Sequence, residues 1–197
     1  LTSQLYTQMV KDWLNLIDCT DGFCVISKFG ERAVREAGKK VVYLPVGVDA
    51  GEFWPCTAAE KRELRKKAGL PEDAFVVMMA AQNQGRKDLP QPMEGFRDFC
   101  ADKPDALLYM DMDKASPAGW DLKRLAEQVG LDWKRVVLRE TIQSALPMLG
   151  DRYRIADVHS LLSFREGLGL PILESMRCGV PNIAQDWCSG TELVGEG

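Results

Sequence analysis

Apolar residues fall along this chain in short continuous runs separated by stretches of helical spacing, and the alternation persists over most of the sequence. Phe75 to Ala81, Ala106 to Met110, Arg135 to Leu138, Ala156 to Leu162 and Asn182 to Ala184 have strand length. Between them the spacing predicts helices from Leu89 to Cys100, from Asp121 to Val129, around Ser144 to Leu149, and from about Leu170 to Cys178. Strands that are apolar on nearly every residue and alternate with helices belong to a parallel sheet covered on both faces. The expected fold class is therefore α/β and Rossmann-like, and its ligands should bind beyond the carboxyl ends of the strands, where the strand order reverses.

The N-terminal part is less regular. Leu5, Met9, Trp13 and Ile17 lie at helical spacing, Gly22 to Ile26 and Val41 to Leu44 are short strand patterns, and Ser27 suits a helix N-cap with Glu31 in the first turn. These two strands have no obvious sheet of their own. They are expected either to pack on the following domain or to drive self-association through an exposed edge. After the loop Pro45 to Asp49, Thr57 and Glu60 form a capping-box signal for a helix running to about Ala68, closed by Gly69 and Pro71. Its cations, Lys61, Arg62, Arg65, Lys66 and Lys67, are interleaved with acids and read as a solvated face.

Composition narrows the classes. At 197 residues the chain holds one full core, and its apolar share of 46% and charged share of 27% are those of a soluble globular protein. A net charge of −4 argues against a nucleic-acid partner. No run reaches membrane-spanning length, and no signal peptide opens the chain, so a cytoplasmic location is expected, with a peripheral place at the inner membrane face also open. The six cysteines lack Cys-x-x-Cys spacing, which favours reduced thiols over zinc or a disulfide framework. The single histidine, His159, ends an apolar strand and is expected in the core or at its rim. A metal–histidine or Ser-His-Asp mechanism would have to run through it alone.

The chemistry concentrates between Arg165 and Pro181. Glu166 precedes the turn Gly167-Leu168-Gly169-Leu170, Pro171 suits the first helical turn, Glu174 lies a turn inside the helix, and Gly179 suits its C-terminal cap. The first amides of such a helix, joined to those of the glycine turn, are unpaired donors at the positive end of the helix dipole and form an anion site. The alternative is that Glu174 is a solvated helix residue and Glu166 a favourable charge near a helix N-terminus. After the first strand of the regular series come Gln82-Asn83-Gln84-Gly85-Arg86-Lys87-Asp88, with neither Gly-x-Gly-x-x-Gly nor Gly-Lys-Ser/Thr. That disfavours a nicotinamide or flavin dehydrogenase and a P-loop enzyme. Arg86 and Lys87 alone are a weak signal. Arg139, Glu140 and Thr141, after the third strand, carry no readable code, and Trp120 is either packed at a helix start or part of a ligand wall.

Residues 166–184 closely resemble the signature of retaining glycosyltransferases of family 4, which have the GT-B fold. There the pattern runs Glu-Gly-Phe-Gly-Leu-Pro, two residues, Glu-Ala-Met, two residues, Gly-x-Pro-Val-Ile-Ala. This chain differs chiefly by Leu168 for the aromatic residue, Ser175 for alanine and Asn182 for valine. Leu44-Pro45-Val46-Gly47-Val48-Asp49, followed by Phe53-Trp54-Pro55, is similar to the family's linker between acceptor and donor domains. Arg86-Lys87 matches an Arg-Lys variant of the family's basic motif, whose commoner form would put arginine at Gln82.

The resemblance implies a division into 1–45, the C-terminal remnant of an acceptor domain; 46–56, the interdomain linker; and 57–197, a nucleotide-sugar-binding domain truncated at its C-terminus. It implies transfer of a hexosyl group from a UDP- or GDP-sugar to a saccharide, lipid-linked or protein acceptor, without a metal or other cofactor and with retained anomeric configuration. Glu166, Arg86 and Lys87 would be catalytic. Gly167, Leu168, Gly169, Leu170, Glu174, Arg139, Glu140 and Thr141 would bind the donor, with Glu174 on the ribose hydroxyls. Without its missing acceptor domain the fragment is expected to be inactive. A nucleotide-sugar-binding module, or another GT-B enzyme such as a sugar-nucleotide epimerase, is the alternative; nothing resembles the cofactor lysine motif of a phosphorylase.

Overall fold

The computed structural model describes residues 14–114, 116–139 and 145–195. The chain divides into two compact units, Leu1–Gly47 and Val48–Gly197. Of the helix expected over residues 4–17, only 14–17 are among the described residues, and these are helical.

In the first unit, β1 (Cys24–Val25) and β2 (Val42–Tyr43) flank helix α1 (Lys28–Glu36). The Ser27 hydroxyl caps that helix by accepting the Gly30 amide at 3.1 Å, and Glu31 pairs with Lys28 and Arg35 along its exposed side. The two strands pair with each other in parallel, Cys24 beside Val42 and Val25 beside Tyr43. This corrects the expectation that they lack a sheet of their own. They are two residues long and joined by a crossover helix, the connection that parallel pairing requires.

The second unit opens with α2 (Ala58–Lys67), whose Thr57 and Glu60 form the expected capping box. There follow β3 (Phe75–Ala80), α3 (Pro90–Phe99), β4 (Ala106–Asp111), α4 (Leu122–Val129), β5 (Val136–Arg139) and α5 (Leu149–Arg154). β6 (Val158–Leu161), α6 (Leu170–Arg177), β7 (Asn182–Ala184) and α7 (Gly190–Leu193) complete it. The five strands are all parallel in the order β5-β4-β3-β6-β7, so the direction of winding reverses between β3 and β6. This is the Rossmann-like α/β sheet the periodicity predicts.

Alternate residues of each central strand feed two cores. Val76, Met78 and Ala80 of β3, with Tyr109 of β4, face the core that receives Leu64 and Ala68 of α2 and Tyr153 of α5. Met79 of β3, with Ala106, Leu108 and Met110 of β4, faces the core of Met93, Phe96, Leu122 and Leu125 from α3 and α4. Period-two alternation inside a fully apolar run is what covering a sheet on both faces demands.

Three further points differ from the sequence reading or add to it. The short helix expected around Ser144 to Leu149 begins instead at Leu149, because its first amide is capped by the Glu52 carboxylate at 3.0 Å rather than by a local residue. Gly150 meets the Glu52 carbonyl so closely that a Cβ there would lie 2.1 Å from it. Nor is the basic helix α2 a solvated face throughout. Arg65 is buried, donating to the Ile155 and Glu72 carbonyls and to Asp157, while Lys61 donates to the Ala156 carbonyl and to Asp157. Asp157 also accepts the Val76 amide at 2.8 Å, so these cations tie α2 to the entrance of β3. Finally, Phe53, within the stretch expected as a linker, is buried in the core beside Tyr153.

Candidate functional site

Sheet pairing between β3 and β6 ends at Met78 and His159, whereas β3 and β4 stay paired as far as Ala80 and Asp111. The two chain segments that leave this point, 81–88 and 162–169, then come together again. Lys87 and Ser163 form an antiparallel bridge, the Asp88 amide donates to the Leu162 carbonyl at 3.1 Å, and the Phe164 amide donates to the Arg86 carbonyl at 3.0 Å. The carboxyl ends at the switch in strand order are thus laced into one surface.

That surface carries Arg86, Lys87 and Glu166 together. Glu166 Oε2 accepts from the Lys87 ammonium and from Arg86 Nη1, the latter at 3.3 Å. Arg86 Nη1 also donates to the Arg165 carbonyl at 2.9 Å, and its Nε to Gln84, which in turn donates to Gln82. Lys87 is buried, its side chain 5% exposed, while that of Arg86 is 41% exposed. Burial pulls the Lys87 pKa down and the Glu166 carboxylate opposes the drop. Two cations against one carboxylate leave an excess positive charge on this surface, and the Arg86 guanidinium is the part-exposed member.

The glycine turn supplies the second half. Gly169 adopts a left-handed conformation with φ 93° and precedes α6 without any side-chain cap. No hydrogen bond within the described residues occupies the amides of Gly167, Leu168, Gly169 or Leu170, and Pro171 has no amide hydrogen to offer. The Leu168 side chain is buried, so its contribution to a ligand is confined to its amide. Four unpaired donors at the positive end of α6 thus follow directly on Glu166, the residue that pairs with Arg86 and Lys87.

Glu174 has different surroundings. Its Oε2 accepts from the Tyr153 hydroxyl at 2.6 Å, and burial raises its pKa against the lowering effect of that bond. The sheet behind it contains a buried polar group. His159 is fully buried, its Nδ1 lies 2.7 Å from Asn182 Oδ1, and Ser175 Oγ lies 2.7 Å from the same oxygen. Burial holds the His159 pKa down at about 4, so the ring is neutral and structural, as the core reading of this histidine expects.

Arg139 stands apart from these groups, donating to the Ala68 carbonyl at the end of α2. Glu140 and Thr141 lie outside the described residues.

Several residues that shape the site carry no signal in sequence. Asn83 is buried and holds both backbone groups of Trp120, donating to its carbonyl at 2.9 Å and accepting its amide at 2.8 Å. The Trp120 indole donates to the Lys87 carbonyl at 3.3 Å, so this tryptophan braces the basic loop from behind. Gly119 is required there, since a Cβ would sit 2.6 Å from the Asn83 carbonyl oxygen. From the far side, Ser189 donates to the Glu166 carbonyl at 3.3 Å and Gln185 accepts the Ser163 amide at 3.1 Å. Asp111, at the end of β4, is buried against Arg152, and burial pushes its pKa up. Among the described residues no cluster of three or more histidine, cysteine or acidic side chains could hold a metal ion, and no helix is long and apolar enough to cross a membrane.

Comparison with known proteins gives this arrangement a lineage. A D-inositol 3-phosphate glycosyltransferase of Geodermatophilus obscurus is 29% identical over 150 residues, which cover 74% of this chain and 33% of that protein. A GDP-mannose-dependent monoacylated alpha-(1-6)-phosphatidylinositol monomannoside mannosyltransferase of Corynebacterium glutamicum is 30% identical over 150 residues, 72% of this chain and 37% of its own length. The chain thus spans about a third of the length of these curated relatives. Among solved structures, Anabaena HepE in complex with UDP-glucose superposes with a TM-score of 0.77 at 18% identity, over 95% of this chain and 51% of that one. The C-terminal domain of a glycosyl transferase group 1 family protein from Francisella tularensis superposes with a TM-score of 0.58 at 22% identity, over 73% and 72%. These likenesses establish the shared α/β fold. The sequence model of the glycosyl transferases group 1 family matches residues 60–197, nearly all of the second unit, and the chain belongs to that family.

Proposed function

We propose that the second unit binds a nucleoside-diphosphate sugar and presents it for retaining transfer of a hexosyl group. The observation that carries this reading is the convergence, at the switch in strand order, of Arg86 and Lys87 with the unpaired amides of Gly167 to Leu170. Loss of a nucleoside diphosphate builds negative charge on the leaving phosphate while the sugar becomes oxocarbenium-like. Preorganised donors aimed at that charge stabilise the transition state by several kcal/mol in other enzymes.

In this account Arg86 and Lys87 meet the diphosphate, and Glu166, held by both, presents its carboxylate to hydroxyls of the transferred sugar. Glu174 takes the ribose hydroxyls, and Arg139, Glu140 and Thr141 belong to the nucleobase side. Ionised carboxylates only accept hydrogen bonds, which suits both hydroxyl groups. The donor is a UDP- or GDP-sugar: HepE is described with UDP-glucose, and the Corynebacterium relative is GDP-mannose-dependent. Residues 1–45 would belong to an acceptor domain, with 46–56 as the link, so transfer to a saccharide, lipid-linked or protein acceptor needs more than the second unit. The retained configuration rests on the likeness to family 4, and the location proposed is cytoplasmic, with a peripheral place at the inner membrane face for a lipid-linked acceptor.

Calorimetric titration of the chain with UDP and with GDP, beside Arg86→Ala and Glu174→Ala, tests the reading. Binding of one diphosphate that weakens in both variants supports it. No binding of either overturns it.

A further inference from the structure

Tyr153 belongs to the helix that precedes β6, 21 residues before Glu174 and on a separate element. Its ring is buried, packed edge-on against His159 with centroids 5.6 Å apart and tilted against Phe53 at 6.1 Å, which leaves it no alternative place. From that fixed position its hydroxyl donates to Glu174 Oε2 at 2.6 Å. The bond runs between α5 and α6, which otherwise meet through apolar and sulfur contacts such as that of Cys178 with the Gly150 carbonyl.

We propose that Tyr153 is a positioning residue for donor binding: its hydroxyl occupies one oxygen of Glu174 and aims the other, Oε1, at the crevice as the acceptor for a vicinal diol. This rests on the reading of Glu174 as the ribose ligand. A glutamate near the first turn of a helix has three rotatable bonds and would otherwise sample several rotamers, each ordered again at the moment of binding. A short bond from a rigid phenol removes that freedom beforehand. It also bears on protonation. Burial raises the Glu174 pKa and Glu52 raises it further, while the Tyr153 bond is the influence that lowers it. Cys178, a further titratable neighbour, is a neutral thiol whose pKa burial pushes up to about 11. Without the hydroxyl, nothing among these groups favours the carboxylate, and a protonated Glu174 accepts poorly from a diol.

Tyr153→Phe keeps the ring and its packing and removes only the hydroxyl. Titrations of UDP and GDP into the chain across pH 5 to 8 should show affinity for the bound diphosphate about tenfold weaker in the variant near neutrality, the scale of one lost charge-assisted bond. The loss of affinity on acidification should begin at higher pH than in wild type, because Glu174 then protonates sooner as pH falls. In a Glu174→Gln background the same substitution should change affinity little, since the two residues act as one unit. Equal affinity and an unmoved acid limb in Tyr153→Phe, with wild type binding normally, overturn the positioning role alone. A uniform weakening at every pH that persists in the Glu174→Gln background also overturns it, since that marks a purely structural effect. If wild type binds neither diphosphate, the donor-site reading falls and this inference with it.

Discussion

Ser175 Oγ and Asn182 Oδ1 lie 2.7 Å apart behind the glycine-turn helix, and they are two of the three positions at which this chain leaves the family 4 signature. The departures are coupled. Asn182 commits its amide nitrogen to the Val180 carbonyl at 3.0 Å, so its oxygen is the atom that faces His159, and Nδ1 of that ring carries the proton. Alanine and valine would leave His159 Nδ1 without a partner in a site that water does not reach.

The pair should therefore show non-additive stability. Asn182→Val alone leaves His159 Nδ1 only the longer contact to Ser175 Oγ at 3.3 Å and is expected to cost about 1–3 kcal/mol in urea unfolding, and Ser175→Ala less. The double variant removes both partners of His159 Nδ1 and should be more destabilised than the sum of the two.

His159 gives the fold an acid sensitivity. Its folded pKa of about 4 lies below the unfolded value of about 6.5, so the unfolded chain binds more protons between those limits. Stability is complete above about pH 6.5 and is lost as pH falls through the folded pKa, by about 3 kcal/mol for this group. Unfolding measured from pH 7 to pH 4 should show that decline, and His159→Gln should flatten it.

Arg65 and Lys66 are adjacent cations with opposite fates. Arg65→Ala leaves Asp157 and two carbonyls short of a buried partner, and a loss of about 3 kcal/mol is expected. Lys66→Ala, on the exposed side of the same helix, should be nearly neutral in the same denaturation measurement.

Which of these features could be read in advance follows from where their partners lie in the chain. The strands Phe75–Ala80 and Ala106–Asp111 announce themselves because both faces are covered and nearly every residue is apolar. Thr57 with Glu60, and Asp121, cap their helices within three residues, so local sequence suffices. The Glu166 turn was legible for the same reason, as glycine, proline and acid stand in one run. Arg65 reads as solvated in the sequence because Asp157 lies 92 residues away. The start of α5 has no local signal because its cap, Glu52, is 97 residues distant. Asn83 and Trp120, 37 residues apart, brace the basic loop through backbone groups that no side-chain pattern reports.

That brace gives a site prediction. Gly119→Ala places a methyl 2.6 Å from the Asn83 carbonyl oxygen, and relief requires the loop carrying Arg86 and Lys87 to shift. Diphosphate affinity measured by calorimetry should fall by roughly ten- to a hundredfold, as small displacements of positioned groups do. The far-UV circular dichroism should be unchanged.

The central claim is that the crevice between β3 and β6 holds the diphosphate, and amide chemical-shift mapping during titration with UDP and GDP addresses it most directly. The largest shifts are expected on Gly167, Leu168, Gly169 and Leu170, with Arg86 and Lys87 following. Shifts that leave these amides in place and gather instead around Lys61, Arg65 and Asp157, at the opposite end of the sheet, would contradict it.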